Sequence, residues 1–151
     1  LEDGTRASGQ VRTVPVAELG MGYRKSRIHD EDWIVLSATL AVTPDDPDMI
    51  RRAMDDYQAR REEKQPLEMP SAGSTFKRPE GYFAGKLIMD ASLRGARVGG
   101  AQVSEKHCGF VVNADHASAA DVCALIEHVQ EQVKDQFGVD LEPEVRRIGE
   151  F

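Results

Sequence analysis

The 151 residues include 19 basic and 26 acidic side chains, a formal net charge of −7, with 40% hydrophobic and 30% charged residues; that balance is ordinary for a globular chain of one domain, or of one domain and part of another. The acidic excess argues against broad nucleic-acid binding, which rests on neutralising phosphates. No apolar run approaches the roughly 18 to 20 residues of a membrane helix, and Cys108 and Cys123 form no CxxC pair, so a disulfide scaffold is not expected and a reducing, cytoplasmic setting is.

The first residues, Leu1 to Arg6, read as the tip of a hairpin with Asp3-Gly4 as its turn. The chain is therefore expected to be the back part of something longer. Gln10 to Val16 alternates as a strand, and Val16 to Gly20 is a short helical turn stopped by glycine. Gly22-Tyr23-Arg24-Lys25-Ser26 is a polar, glycine-led segment. Ile34, Leu36, Ala38, Leu40 and Val42 share one face at period two, which predicts a buried strand over Trp33 to Val42. Thr43-Pro44-Asp45-Asp46 starts a helix running to about Glu63. Its apolar stripe, Met49, Ile50, Ala53, Met54 and Tyr57, is expected to pack in a core. Its mixed Arg, Asp and Glu residues read as a solvated face.

Gln65 to Gly81 is too long and too rich in Pro, Gly and small residues for a plain connector. An ordered loop and a domain boundary are expected there. Tyr82 to Leu93 reads as a helix closed by Gly95, and Arg97 to Val103 as a strand bent at Gly99-Gly100. His107 to Asn113 is a strand, and Ser118 with Asp121 resembles a capping box opening a helix that Gly138 ends. Val139 to Ile148 is a last strand, pushed by Pro143 to an edge or a bulge. Together these elements predict an α+β fold: one sheet from the strands near 97–103, 107–113 and 139–148, with helices 82–93 and 118–136 packed on one face.

Few residues carry a chemical signal by themselves. Ser74 sits in Ser71-Ala72-Gly73-Ser74-Thr75-Phe76-Lys77, where small neighbours allow close approach to a ligand; a Gly-Ser pair is also ordinary turn chemistry. Neither a G-x-S-x-G elbow nor a phosphate-binding P-loop is present. Arg24, Lys64, Lys77, Arg78 and Arg94 suit an anionic small molecule as a group, although each alone reads as a surface charge. Glu144 beside Arg146 reads as a structural or surface carboxylate. His29 and His107-Cys108 lack the spacing of a zinc site, so no metal is expected.

Four stretches taken in order are more specific. Ala72-Gly73-Ser74-Thr75-Phe76-Lys77-Arg78-Pro79, Gly85-Lys86-Leu87-Ile88, Gly99-Gly100-Ala101-Gln102-Val103-Ser104 and Glu142-Pro143-Glu144-Val145-Arg146 resemble the UDP-N-acetylenolpyruvoylglucosamine reductases. The likeness is dense from about Gln65 to Glu150 and thinner upstream, through Gly22 to Ser26. With no long insertion before the serine loop, the chain resembles the shorter of the family's two types. The resemblance implies an NADPH-dependent flavoenzyme that completes UDP-N-acetylmuramate for the bacterial cell wall. NADPH reduces FAD, hydride passes to C3 of the enolpyruvyl group, and a serine protonates C2. Carried over residue by residue, it implies Ser74 as proton donor, Arg24 on the substrate carboxylate and Glu144 as a further active-site group. Tyr23, Lys64 and Arg94 become substrate contacts.

Arg78 stands where some members have Asn, and no role is implied for it or for His107. The family's glycine-rich flavin-phosphate loop has no counterpart here. The resemblance therefore divides the chain into a partial flavin-domain remnant at 1–45, a helix and linker at 46–70, and a substrate-binding domain at 71–151. FAD would be held mostly by an N-terminal lobe outside this chain, and the chain alone would be inactive. The enolpyruvyl sugar nucleotide is the implied partner, with no nucleic acid or membrane. A stand-alone, non-catalytic sugar-nucleotide-binding module is the alternative. A DNA-binding protein using Arg60-Arg61 and Lys77-Arg78 is improbable at this net charge.

Overall fold

The computed structural model describes residues 9–31 and 33–149. The expected Asp3-Gly4 turn lies outside them. The chain divides into two compact units, Leu1–Pro44 and Asp45–Phe151.

The first unit has no buried residue among those described. It holds a 3-10 turn at Val16–Glu18 and one helical turn, α1 (Arg27–Asp30). What ties it together is polar. Arg27 donates from Nε to Glu31 at 2.7 Å and from Nη1 to the Glu18 carbonyl at 3.0 Å. The guanidinium groups of Arg12 and Arg27 lie 4.0 and 5.1 Å from the Trp33 ring centroid, cation–π contacts that recover part of the ring's burial. The strands expected at 10–16 and 33–42 do not form. Their alternation is present, but neither segment finds a pairing partner among the described residues, and Ile34, Leu36, Leu40 and Val42 are 70–83% exposed. Period two marks a face suited to burial; a strand also needs a hydrogen-bonded neighbour.

The second unit opens with α2 (Pro47–Lys64). Asp46 caps it, accepting from the backbone N–H groups of Asp48 and Met49, and Pro47 occupies the first turn where its missing N–H costs nothing. The expected core stripe is not in a core. Met49, Ile50, Met54 and Tyr57 are all exposed, from 44% for Ile50 to 69% for Tyr57. A helical stripe indicates which face can be buried, and no element among the described residues covers this one. The far end of α2 is tied down by Lys106, whose Nζ donates to the Glu62 carbonyl at 2.7 Å, a cation on carbonyls at the negative end of the dipole.

The sheet has four antiparallel strands in the order β1 (Ser71–Ser74), β4 (Phe110–Asn113), β3 (Ala101–Val103), β2 (Arg97–Val98). The expected strand at 97–103 is a hairpin, β2 and β3, folded at Gly99-Gly100. A Cβ on Gly100 would collide with the Asp115 carbonyl and the Ala117 backbone, so only glycine fits this turn. Helix α4 (Ala119–Phe137) packs against β2, β3 and β4, and α3 (Ala84–Asp90) packs on α4. Leu125, Ile126, Val129 and Val133 of α4 meet Leu87 and Ile88 of α3 and Ala101, Val103 and Val111 of the sheet. The fold is the α+β arrangement expected, with different edge strands. Ser71–Ser74, expected in a loop, is a strand. Residues 139–148, expected as a strand, make a single bridge, Phe76 to Pro143. Pro143 has no N–H, so the ladder is limited to the bonds flanking it.

Both ends of α4 match the sequence signals. Ser118 accepts from Asp121 N at 3.1 Å and Asp121 accepts from Ser118 N at 2.9 Å, while Gly138 ends the helix in the left-handed region at φ 69°. The Ser118 backbone and hydroxyl, and then the Gly100 backbone, hold the Asp121 carboxyl below its usual range. A carboxylate favoured in the folded state contributes stability above the unfolded pKa, about 3.9, and loses it as pH falls through the lower folded value. Asp121→Asn is therefore expected to flatten the acid side of the stability profile. The check is the urea midpoint at about pH 7 and about pH 3: the drop should be smaller in the variant, and equal drops would remove Asp121 from this role.

Candidate functional site

The residues with chemical potential fall on both units. In the first, Gly22 to Lys25 is a closed turn with reciprocal backbone bonds, Gly22 N to Lys25 O at 3.0 Å and Lys25 N to Gly22 O at 3.3 Å. Tyr23 and Arg24 are its two central residues. Arg24 is held at φ 60°, a left-handed conformation that disfavours side chains and often marks functional positions when a non-glycine residue occupies it. Its guanidinium carbon lies 5.7 Å from the Tyr23 ring centroid, and both side chains are exposed.

In the second unit, Ser74 ends β1 with its side chain exposed. The three steps of β1 from Ser71 to Ser74 are matched by the two steps from Val112 to Phe110 on β4, so the strand carries a bulge. Gly73 sits in it at φ 86°. A bulge re-aims the side chain that follows it. The Ser74 hydroxyl has no hydrogen-bond partner among the described residues.

Glu144 comes from the chain end, 70 positions later in sequence. The segment that bears it is pinned along the continuation of β1: Lys77 N donates to Glu142 O at 2.8 Å, Glu144 N donates to Thr75 O at 2.8 Å, and Lys77 forms an ion pair with Glu142. From α4, Gln130 donates to the Leu141 carbonyl at 2.8 Å. Ser74 and Glu144 are therefore held on neighbouring segments joined by two backbone bonds, the nearer of them at Thr75. Thr75 was passed over in the sequence; a threonine between Ser74 and Phe76 gives no periodic signal, and its partners lie 34, 36 and 69 positions away.

The other candidate cations of this unit sit on separate features. Lys64 ends α2 and is exposed. Arg94 follows α3 and reaches the β3–β4 loop, with Nη1 donating to Glu105 O at 2.7 Å and Nη2 lying 3.2 Å from Met89 Sδ. Arg78 folds back over its own loop, its guanidinium carbon 3.9 Å from the Phe83 ring centroid and Nε on Tyr82 O at 3.2 Å. His107 lies in the β3–β4 loop; its Nδ1 accepts from Gly109 N at 3.1 Å and its ring meets Phe110 edge-on at 5.1 Å. No group of three metal-ligating side chains occurs among the described residues, and no helix among them is long and apolar enough to cross a membrane. Cys108 is buried and Cys123 partly buried, both as free thiols.

An antiparallel sheet with helices packed against it, and a serine and a glutamate borne on neighbouring segments past the end of β1, define an α+β domain. The family model described as UDP-N-acetylenolpyruvoylglucosamine reductase, C-terminal domain, matches residues 65–148, and the chain belongs to that family. It is 63% identical over 145 residues to the UDP-N-acetylenolpyruvoylglucosamine reductase of Agathobacter rectalis, covering 96% of this chain and 46% of that protein. The like-named protein of Limosilactobacillus reuteri is 57% identical over 141 residues, covering 93% and 47%. The crystal structure of the UDP-N-acetylenolpyruvylglucosamine reductase of Thermus caldophilus superposes with a TM-score of 0.75 at 34% identity, over 92% of this chain and 50% of that one. The chain spans about half the length of the relatives it matches.

Proposed function

We propose that this chain is the C-terminal half of a reductase that converts UDP-N-acetylglucosamine enolpyruvate to UDP-N-acetylmuramate for peptidoglycan, in the cytoplasm, with NADPH and FAD. The family match over residues 65–148 supports the activity. The observation that most supports the site is the backbone bond from Glu144 N to Thr75 O, which joins the segments bearing the hydroxyl and the carboxylate. Residues 1–45 are read as the end of a flavin domain, 46–70 as a helix and linker, and 71–151 as the substrate domain.

The described residues do not fit a flavin dinucleotide by themselves. A pyrophosphate seeks free N–H groups at a helix N-terminus. At α2 and α4 those groups are taken by the carboxylate of Asp46 and by the Ser118–Asp121 pair, and α3, which has no side-chain cap, is only 7 residues long. The flavin is accordingly assigned to the part of the relatives that this chain does not span.

Reduction of the enolpyruvyl double bond adds one hydride at C3 and one proton at C2, while NADPH becomes NADP⁺. Hydride addition leaves a carbanion at C2 that spreads into its carboxylate. Arg24 holds that carboxylate and stabilises the charge as it develops. Ser74 supplies the proton. A serine hydroxyl is a weak acid in water, and cations beside it would favour the alkoxide left when it gives up its proton. Tyr23, Lys64 and Arg94 contact the substrate, Arg94 at its phosphates.

The test compares the full-length protein with the 151-residue chain. The full-length protein is expected to be yellow after gel filtration and to oxidise one NADPH per UDP-N-acetylmuramate formed. The 151-residue chain, mixed with FAD, should elute colourless and leave NADPH unoxidised. A colourless, inactive full-length protein would sink the reductase reading. A yellow, active 151-residue chain would overturn the assignment of the flavin outside it.

A further inference from the structure

We propose that Thr75 is a positioning residue that sets Ser74 and Glu144 at a fixed separation; the inference rests on the site reading given above. Thr75 follows the bulged end of β1 and is only 3% exposed. Three of its groups are used, each toward a different stretch of chain. Its N–H donates to the Gly109 carbonyl at 2.8 Å, ahead of β4. Its Oγ1 accepts from Val111 N at 3.0 Å, within β4. Its carbonyl accepts from Glu144 N at 2.8 Å, in the chain end. One residue thus joins the serine strand, the central strand and the glutamate segment.

The hydroxyl matters because the geometry beside it is irregular. Regular pairing of β1 with β4 runs Ser71 to Val112 and Ser74 to Phe110, with an extra residue between. Past Ser74 the chain must leave β4 to meet residues 142–144, and a main-chain bond alone leaves that departure free to pivot. The Thr75 hydroxyl supplies the second bond to β4, so the peptide after Ser74 is held at two points. The buried Val111 N–H has this hydroxyl as its acceptor, and an unmet buried donor is what a replacement must relieve by moving backbone. A shift of about 1 Å in a reacting group can cost about 10²-fold in rate.

The experiment uses the flavin-loaded full-length reductase and stopped-flow measurement of both half-reactions. Thr75→Val keeps the side-chain shape and removes the acceptor. It is expected to leave flavin reduction by NADPH unchanged and to lower the rate constant for substrate reduction by about 10²-fold, with KM little changed. Thr75→Ser, which restores the hydroxyl, should return that rate close to wild type. If Thr75→Val yields no folded holoenzyme, Thr75→Ala, which leaves room for a water on Val111 N, carries the same expectation. A folded Thr75→Val or Thr75→Ala enzyme with wild-type substrate reduction overturns the proposal. So does a Thr75→Ser enzyme as slow as Thr75→Val, because packing of the methyl would then be the cause. Ser74→Ala, measured alongside, separates the two levels. A slow Ser74→Ala with a normal Thr75→Val refutes the role of Thr75 alone. Wild-type rates in both refute the site reading, and the role of Thr75 with it.

Discussion

Ser74→Ala in the full-length reductase is expected to leave flavin reduction by NADPH intact while slowing reduction of the enolpyruvyl substrate by about 10² to 10⁴-fold, the range for loss of a general acid. The two halves separate because, in the proposed mechanism, Ser74 acts only after hydride has reached C3. The variant should also fold. Ser74 is exposed at the end of β1, and its hydroxyl holds no other described residue, so the change removes one oxygen without opening a cavity. Stopped-flow with each substrate in turn is the check. A slowed flavin half-reaction beside an unchanged substrate half-reaction would show that Ser74 is not the donor.

The second large effect is expected at Arg24. Removing a group that stabilises developing negative charge typically costs about 10² to 10³-fold, and Arg24→Ala should fall in that range. Arg24→Lys is the more informative change. Lysine keeps the positive charge but loses the planar fork that grips a carboxylate at two points. Its turnover should lie between that of Arg24→Ala and wild type. Backbone cost does not separate the variants, because alanine and lysine both carry the Cβ that makes φ 60° unfavourable. Wild-type kinetics in Arg24→Lys and Arg24→Ala would take Arg24 out of the site.

The parts of this molecule that were legible in the sequence are mostly local. The α4 helix was expected at 118–136 and spans Ala119–Phe137, because its cap, its stripe and its terminating glycine all lie within the element. The start of α2, expected from Thr43-Pro44-Asp45-Asp46 and found with Asp46 as its cap, and the glycine-stopped turn at Val16–Glu18 are of the same kind. Ser74, Glu144 and the cations were reached another way. Their residue types and spacing permit several readings, and it was the likeness of four ordered stretches to one family that gave each a candidate role.

The sheet was the harder half. Residues 71–74 carry too few apolar side chains to read as a strand, yet they pair with β4. Residues 139–148 have the alternation and make one bridge. The α2 stripe and the 33–42 alternation state what could be buried and are exposed in the described residues.

By itself the sequence determined the family and the long helices α2 and α4 with their caps, because a helix closes its hydrogen bonds four residues away and a motif is read in order along the chain. Only the tertiary structure decided the strand order β1-β4-β3-β2, the bulge that follows Ser71, and the backbone bond from Glu144 to Thr75 that sets their segments side by side. Those depend on bonds between segments tens of residues apart, whose partner and register no local pattern specifies.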